Sequence, residues 1–382
     1  MKRSTKIIII AGSVLGIALL VFFLWYFLLR TPEDSLLAPG SGLPIGSELP
    51  TTSTGGSSSQ SGFSNGSAAL ISEHSVFDFW VNQETGEVFY VDLEGGVWSA
   101  KEGPDVEYSQ QKLRAMNAIT PSPKGTRILA SFGDPHNPQW GIFDVIDAVW
   151  SPLPSTLLNV TWEGDEEALI GFVKDGDRVH LARVDVSSAQ PKTTILVPDF
   201  RLLDVSLSFL SPSSLFLVER AAADYEGRVW KFDAATKTLN LILSRSGLLF
   251  RSHNPDLLLW SSKGDDFAVL KASTLAPAVP APFVTFPGKC AAQNDYLACF
   301  APRTLNPFPP RVIPDDYLKG AFRTADDLFF INLRTLGVSI SNDSRFLDTA
   351  IDGWHPVIYD KTLYFLNKRD GKIYTTALPV AR

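Results

Sequence analysis

After residue 67 the chain alternates short apolar runs with turns, a pattern that predicts β-strands. The runs are rich in Val, Ile, Phe, Tyr and Trp, and Gly, Pro, Asp and Asn separate them. One kind of run recurs seven times, at 89–91, 128–130, 169–171, 215–217, 257–259, 297–299 and 363–365. The first six copies are spaced by 39, 41, 46, 42 and 40 residues, which indicates a repeated structural unit.

A second apolar run follows each copy of the first at a short distance. These second runs are 97–99, 141–143, 179–181, 229–231, 267–269, 329–331 and 373–375. Three or four strands in each period of roughly 40–45 residues are typical of β-propeller blades. The sequence therefore predicts an all-β fold, a β-propeller of seven blades over 68–382, with six or eight blades as alternatives. A long β-sandwich should not repeat at this period.

A propeller must close into a ring, and the sequence indicates where. The last repeat ends soon after residue 378 without an obvious fourth strand, while the apolar segment 68–72 (AALIS) precedes the first full repeat. We expect 68–72, or residues near it, to pair with the last blade.

Residues 7–29 form an uncharged run of 23 residues between Lys6 and Arg30. A helix of that length crosses a hydrocarbon core of roughly 30 Å. Lys2, Arg3 and Lys6 precede it, so the positive-inside rule places residues 1–6 in the cytoplasm and the rest outside. A cleaved signal peptide is the alternative, but the apolar core is too long and no small-x-small site follows. We expect a single-pass anchor in the cytoplasmic membrane.

The segment 30–67 differs in composition from its neighbours. Its portion 51–66, TTSTGGSSSQSGFSNG, is nearly all Ser, Thr and Gly, too poor in apolar side chains to offset the entropy of ordering it. It predicts a flexible linker. The expected organisation is a cytoplasmic tail (1–6), a transmembrane helix (7–29), this linker and the propeller (68–382).

Charge and motifs exclude several functions. Four of the 34 basic residues lie in the first 30 positions, which leaves 30 against 41 acidic residues, about −11, on the exported part. This argues against nucleic acid as a partner. No Rossmann fingerprint, P-loop or nucleophile elbow occurs, so no cofactor or catalytic residue is predicted. The five histidines show no metal-ligand spacing. His180 and His253 could converge at the channel, but surface or core positions are favoured.

The two cysteines lie in one predicted hairpin, 289–300. If Asn294 and Asp295 form its tip, Cys290 faces Cys299 at a distance that a disulfide can span. Export past an oxidising membrane face favours that bond. Two buried thiols or a catalytic cysteine are the alternatives.

An inserted segment, 303–320, lengthens the sixth repeat. It contains Pro307, Pro309, Pro310 and Pro314, which predict an ordered surface loop rather than ladder strands. Long loops on rigid scaffolds often carry function. The candidate binding residues are Phe308, Arg311, Asp315, Asp316 and Tyr317. The alternative is a loop that only covers the channel or a neighbouring blade.

Four late segments resemble known proteins: 289–302 (KCAAQNDYLACFAP), 314–320 (PDDYLKG), 363–370 (LYFLNKRD) and 373–378 (IYTTAL). They are similar to the late blades of bacterial envelope proteins that pair one N-terminal membrane helix with a TolB-like or WD-repeat-like propeller. The resemblance implies fold and location, and it carries over no catalytic residues.

Two functions are consistent with these observations. The first is a tethered scaffold that binds an envelope protein, a peptide or a glycan. The second is a propeller enzyme acting on glycans or peptides with carboxylates at the channel mouth.

Overall fold

Seven four-stranded antiparallel sheets make up the described part of the chain. The computed structural model describes residues 68–378 apart from 101–103, 165, 189, 254–256, 264–266, 280, 306–310 and 342–349. The predicted anchor (7–29) and linker (30–67) lie outside the described residues. None of the described helices is long and apolar enough to span a membrane.

The strands are given in chain order, grouped by the sheet, or blade, to which they belong. A closing strand comes first: β1 (Ala69–Leu70). Blade 1 contains β2 (Val76–Val81), β3 (Val88–Asp92), β4 (Val97–Ala100) and β5 (Val106–Ser109). Blade 2 contains β6 (Met116–Pro121), β7 (Arg127–Phe132), β8 (Gln139–Asp144) and β9 (Val149–Pro152). Blade 3 contains β10 (Leu157–Trp162), β11 (Ala168–Asp175), β12 (Arg178–Asp185) and β13 (Lys192–Val197).

The later blades follow the same order. Blade 4 contains β14 (Val205–Ser211), β15 (Ser214–Glu219), β16 (Glu226–Asp233) and β17 (Thr238–Ser246). Blade 5 contains β18 (Leu249–His253), β19 (Leu257–Ser261), β20 (Phe267–Lys271) and β21 (Pro277–Val279). Blade 6 contains β22 (Cys290–Gln293), β23 (Tyr296–Pro302), β24 (Asp326–Asn332) and β25 (Val338–Ile340). Blade 7 contains β26 (Gly353–Tyr359), β27 (Thr362–Asn367), β28 (Lys372–Ala377) and β1.

The two apolar runs of every repeat are the second and third strands of its blade, and the prediction of seven blades is confirmed. Second strands such as Val88–Asp92 are buried throughout, because neighbouring blades cover both of their faces. Fourth strands lie at the rim and are more exposed, as Val338–Ile340 shows. Their apolar pattern is correspondingly weak.

Seven apolar cores among the described residues join each blade to the next. One of them closes the ring, because it packs Tyr90 of blade 1 against Leu366 and Ile373 of blade 7. The strand β1 pairs with β28, Ala69 opposite Thr375 and Leu70 opposite Tyr374. The prediction that the segment 68–72 completes the last blade is confirmed.

The connectivity gives the propeller two different faces. The first strand of each blade lines a central channel, and it ends at what we call the channel face. The connections between second and third strands lie on the opposite face, called the loop face. The predicted disulfide is present: Cys290 and Cys299 are paired across β22 and β23, with their Cα atoms 4.1 Å apart.

Candidate functional site

The inserted loop joins β23 to β24 on the loop face, and its acidic residues fasten it there. It contains a one-turn helix, α1 (Asp315–Leu318). The Asp315 carboxylate accepts a hydrogen bond of 2.8 Å from the backbone N–H of Ala223, in the β15–β16 connection of blade 4. Asp316 accepts one of 2.9 Å from the N–H of Val312. The loop of blade 6 is therefore attached to a blade two positions away.

Tyr317 fixes the same loop to blade 7. Its side chain is fully buried, and its ring stacks on Phe286 with 4.7 Å between centroids. Its hydroxyl donates a hydrogen bond of 2.7 Å to Asp352. Burial and the charge of Asp352 raise the pKa of Tyr317 well above its usual value, so the phenol stays protonated. The side chain of Tyr317 therefore contacts protein rather than solvent.

A buried ion cluster lies beneath the loop. The Lys289 ammonium donates to Thr324 (2.8 Å), Asp326 (2.5 Å) and Asp352 (2.6 Å), and the side chains of all three charged residues are inaccessible to solvent. Burial raises the pKa of Asp326. Burial also pushes the pKa of Asp352 upward, but the charge of Lys289 and the bonds from Lys289, Tyr317 and Thr324 outweigh it and lower that pKa. The cluster joins blades 6 and 7 under the loop.

Lys368 packs over the rings of Tyr317 and Trp354. Its ammonium lies 4.1 Å from the ring centroid of Tyr317 and 4.8 Å from that of Trp354. Burial lowers the pKa of Lys368 to about 8. The ammonium therefore begins to lose its proton near neutral pH.

The outward side of the fastened loop is partly apolar. Val312 is 47% exposed and Leu318 is 41% exposed, and Arg311 beside them is also exposed. Tyr225, two residues beyond the bond that holds Asp315, is 75% exposed. We call Tyr225, Arg311, Val312 and Leu318 the loop patch. Of the predicted binding residues, Asp315, Asp316 and Tyr317 hold the loop, Arg311 faces solvent, and Phe308 lies outside the described residues.

The central channel contains charged residues that the sequence analysis did not single out. Asp78, Arg251 and His355 are each the third residue of a first strand, in blades 1, 5 and 7. The His355 ring nitrogen Nδ1 lies 2.9 Å from the Asp78 carboxylate. In the sequence, each of these residues could be recognised only as a charged or polar residue inside a short apolar run. Their positions in one channel could not be recognised, because their blades are far apart in sequence.

His180 and His253, which could have converged at the channel, lie in different places. His253 lines the channel cavity at the end of β18. His180 lies on the third strand of blade 3, where its Nδ1 accepts a hydrogen bond of 3.2 Å from the N–H of Asp199. Among the described residues of the seven first strands, Asp78 is the only carboxylate. These strands thus supply one carboxylate, where a glycosidase needs two.

Glu73, His74 and Asp105 form a further polar cluster beside the closing strand. Their possible ligand atoms lie within 4.8 Å of one another. The carboxylate of Asp105 already accepts hydrogen bonds from the Glu73 N–H (2.6 Å) and the Tyr90 hydroxyl. These bonds attach the β1–β2 connection and β3 to the residue that precedes β5.

No protein-family model matches the sequence, and no curated protein matches it. Solved structures of similar shape exist. An uncharacterized protein of Listeria monocytogenes EGD-e, lmo1340, superposes with a TM-score of 0.52 at 12% identity, covering 84% of this chain and 100% of its own. A catalytically inactive virginiamycin B lyase from Staphylococcus aureus, solved with quinupristin, superposes with a TM-score of 0.51 at 12% identity. The match covers 82% of this chain and 99% of the lyase chain. A chain of the mitotic checkpoint complex superposes with a TM-score of 0.50 at 12% identity, and the match covers 87% of this chain and 99% of that one. These likenesses show the fold alone.

Proposed function

We propose that this protein is a membrane-anchored, extracytoplasmic binding scaffold that holds an envelope protein against its loop face. The fastened loop is the observation that carries the proposal. A segment rich in proline is attached to blade 4 through Asp315 and to blade 7 through Tyr317, while Val312 and Leu318 remain exposed. A loop that is already ordered loses little conformational entropy when a partner binds.

The composition of the loop patch supports a protein as the partner. Exposed Tyr and Arg beside apolar side chains are typical of protein interfaces. The acidic exported part disfavours a polyanion. The anchor is proposed from the uncharged run 7–29 and the basic residues that precede it.

Crosslinking of the full chain in intact membranes, followed by mass spectrometry, tests the binding proposal. The double variant Val312→Ser/Leu318→Gln removes the apolar side chains without changing the charge. Leu336→Gln is the control, because Leu336 is 48% exposed in a third-to-fourth-strand turn on the channel face. We expect one abundant partner with the wild type and the control, and at least about ten-fold less with the double variant. An unchanged yield, or no protein partner at all, would refute the proposal.

The anchor is tested separately by extracting membranes at alkaline pH. The full chain should stay with the membrane, and a variant lacking residues 7–29 should be released. Release of the full chain would contradict the anchor while leaving the loop proposal standing.

A further inference from the structure

Arg251 is a charged residue of the central channel. No described residue forms a hydrogen bond or an ion pair with its guanidinium. The Asp78 carboxylate interacts with Arg251 only through its charge. One of its oxygens lies 2.9 Å from the His355 ring nitrogen Nδ1. Arginine remains charged in proteins, and charged groups withdrawn from bulk water are ordinarily paired. The channel thus presents an unmatched positive charge.

His253, the last residue of β18, lines the same cavity. Burial and the charge of Arg251 lower the pKa of His253 well below its ordinary value, so the ring is neutral. Its ring nitrogen Nε2 is buried and has no hydrogen-bond partner among the described residues. The neutral ring of His253 therefore adds no charge to the cavity, and Arg251 is the charged side chain that lines it.

The cavity around these groups has the size and the walls of a small-molecule site. Its volume is about 380 Å³, within the range of ligand pockets. Five blades contribute to it, and much of its wall is apolar. The apolar lining residues include Trp80, Val81, Pro121, Pro356, Val357 and Ile358.

We propose that the channel binds a carboxylate with an apolar body, the carboxylate on the Arg251 guanidinium and the body against the apolar wall. The planar guanidinium presents paired N–H groups that match the two oxygens of a carboxylate. The site opens towards the channel face, where the first strands end, and not towards the loop face. It is therefore distinct from the surface proposed above.

Calorimetric titration of the full chain at low salt tests this proposal, with 4-phenylbutyrate and its amide, 4-phenylbutyramide, as probes. The acid and the amide differ only in the group that Arg251 would bind. Because hydrogen bonds between charged groups are the strong ones, the acid should bind roughly ten-fold or more tightly than the amide. Arg251→Met should abolish this preference. Arg178→Met is the matched control, since Arg178 is exposed on β12, outside the channel.

Removing the negative charge of Asp78 should change the affinity in the opposite direction. Asp78→Asn should strengthen binding of 4-phenylbutyrate, because it removes the only carboxylate that the described first strands supply. If Arg251→Met fails to fold, Arg251→Lys replaces it; it keeps the charge but loses the paired donors, so the preference should fall at least about three-fold. Equal affinity for acid and amide, no binding of the acid, or a preference that survives in the Arg251 variants would overturn the proposal.

Discussion

Replacing Lys289 by Met should destabilise this propeller more than any surface substitution. The lysine ammonium has three N–H groups, and in the structure they reach Thr324, Asp326 and Asp352. Methionine preserves most of the side-chain volume but leaves both buried carboxylates without the ammonium that donates to them. Tyr317 and Thr324 would remain as neutral donors to Asp352.

The size of the effect follows from the burial. The side chains of Lys289, Asp326 and Asp352 are all 0% exposed. Removing one partner of such a buried pair lowers the free energy of unfolding by about 3–5 kcal/mol. The pair between Lys263 and Asp224, 2.6 Å apart, is 50% and 77% exposed, and an exposed pair contributes about 0–1 kcal/mol. Lys263→Met is therefore the matched control.

Urea denaturation of the full chain, followed by tryptophan fluorescence, measures the difference. The triple variant Lys289→Met/Asp326→Asn/Asp352→Asn should recover part of the loss, because no buried charge remains unpaired. The deficit of Lys289→Met should also shrink as the pH falls. The lowered pKa of Asp352 gives the wild type a stabilisation that is present above the ordinary carboxyl pKa and is lost on acidification, whereas the single variant lacks it. A loss below about 1 kcal/mol, equal to that of the control, would refute this account of the cluster.

Three further outcomes are expected. Deleting 68–72, or 66–75 as a whole, should lower the melting temperature measured by calorimetry, because β1 completes blade 7; unchanged melting would mean that the ring closes without it. Cys290→Ala/Cys299→Ala should lower the free energy of unfolding by about 2–3 kcal/mol, the loss expected for a short disulfide loop, and peptide mapping without reductant should recover the two cysteines joined. Burial lowers the pKa of Lys368 to about 8, whereas its pKa in the unfolded chain is near 10.4. Between these two pH values the unfolded chain binds more protons than the folded one. This lysine therefore makes the free energy of unfolding rise with pH over that range. Unfolding measured from pH 7 to pH 10 should show that rise weakened in Lys368→Met; equal slopes would contradict the assignment.

The sequence predicts the parts of the fold that are buried on both sides. The second and third strands are continuous apolar runs because each lies between two neighbouring blades, as Val88–Asp92 does. The pairing of Cys290 with Cys299 could also be predicted, because it depends only on a local turn. The rim strands are partly exposed and leave a fainter pattern.

The channel and the loop contacts could not be predicted in the same way. Asp78, Arg251 and His355 are brought to one level by the closure of the ring, a relation that local sequence does not contain. A proline-rich insertion indicated a surface loop, and Tyr317 was expected to be a binding residue there. Its burial depends on Phe286, which precedes the first strand of its own blade, and on Asp352, which lies at the start of blade 7.

The closing strand also decides how the molecule would respond to mechanical load. Any pull transmitted along the chain from residue 67 reaches β1 first. Only Ala69 and Leu70 of β1 pair with β28, and the N–H groups of Ile71 and Val76 add hydrogen bonds of 2.9 Å to Ile373 and 2.8 Å to Gly371. The blades themselves are held by longer ladders. Under tension we expect this short junction to separate from blade 7 before the longer ladders within the blades, so that the ring would open between blade 7 and blade 1.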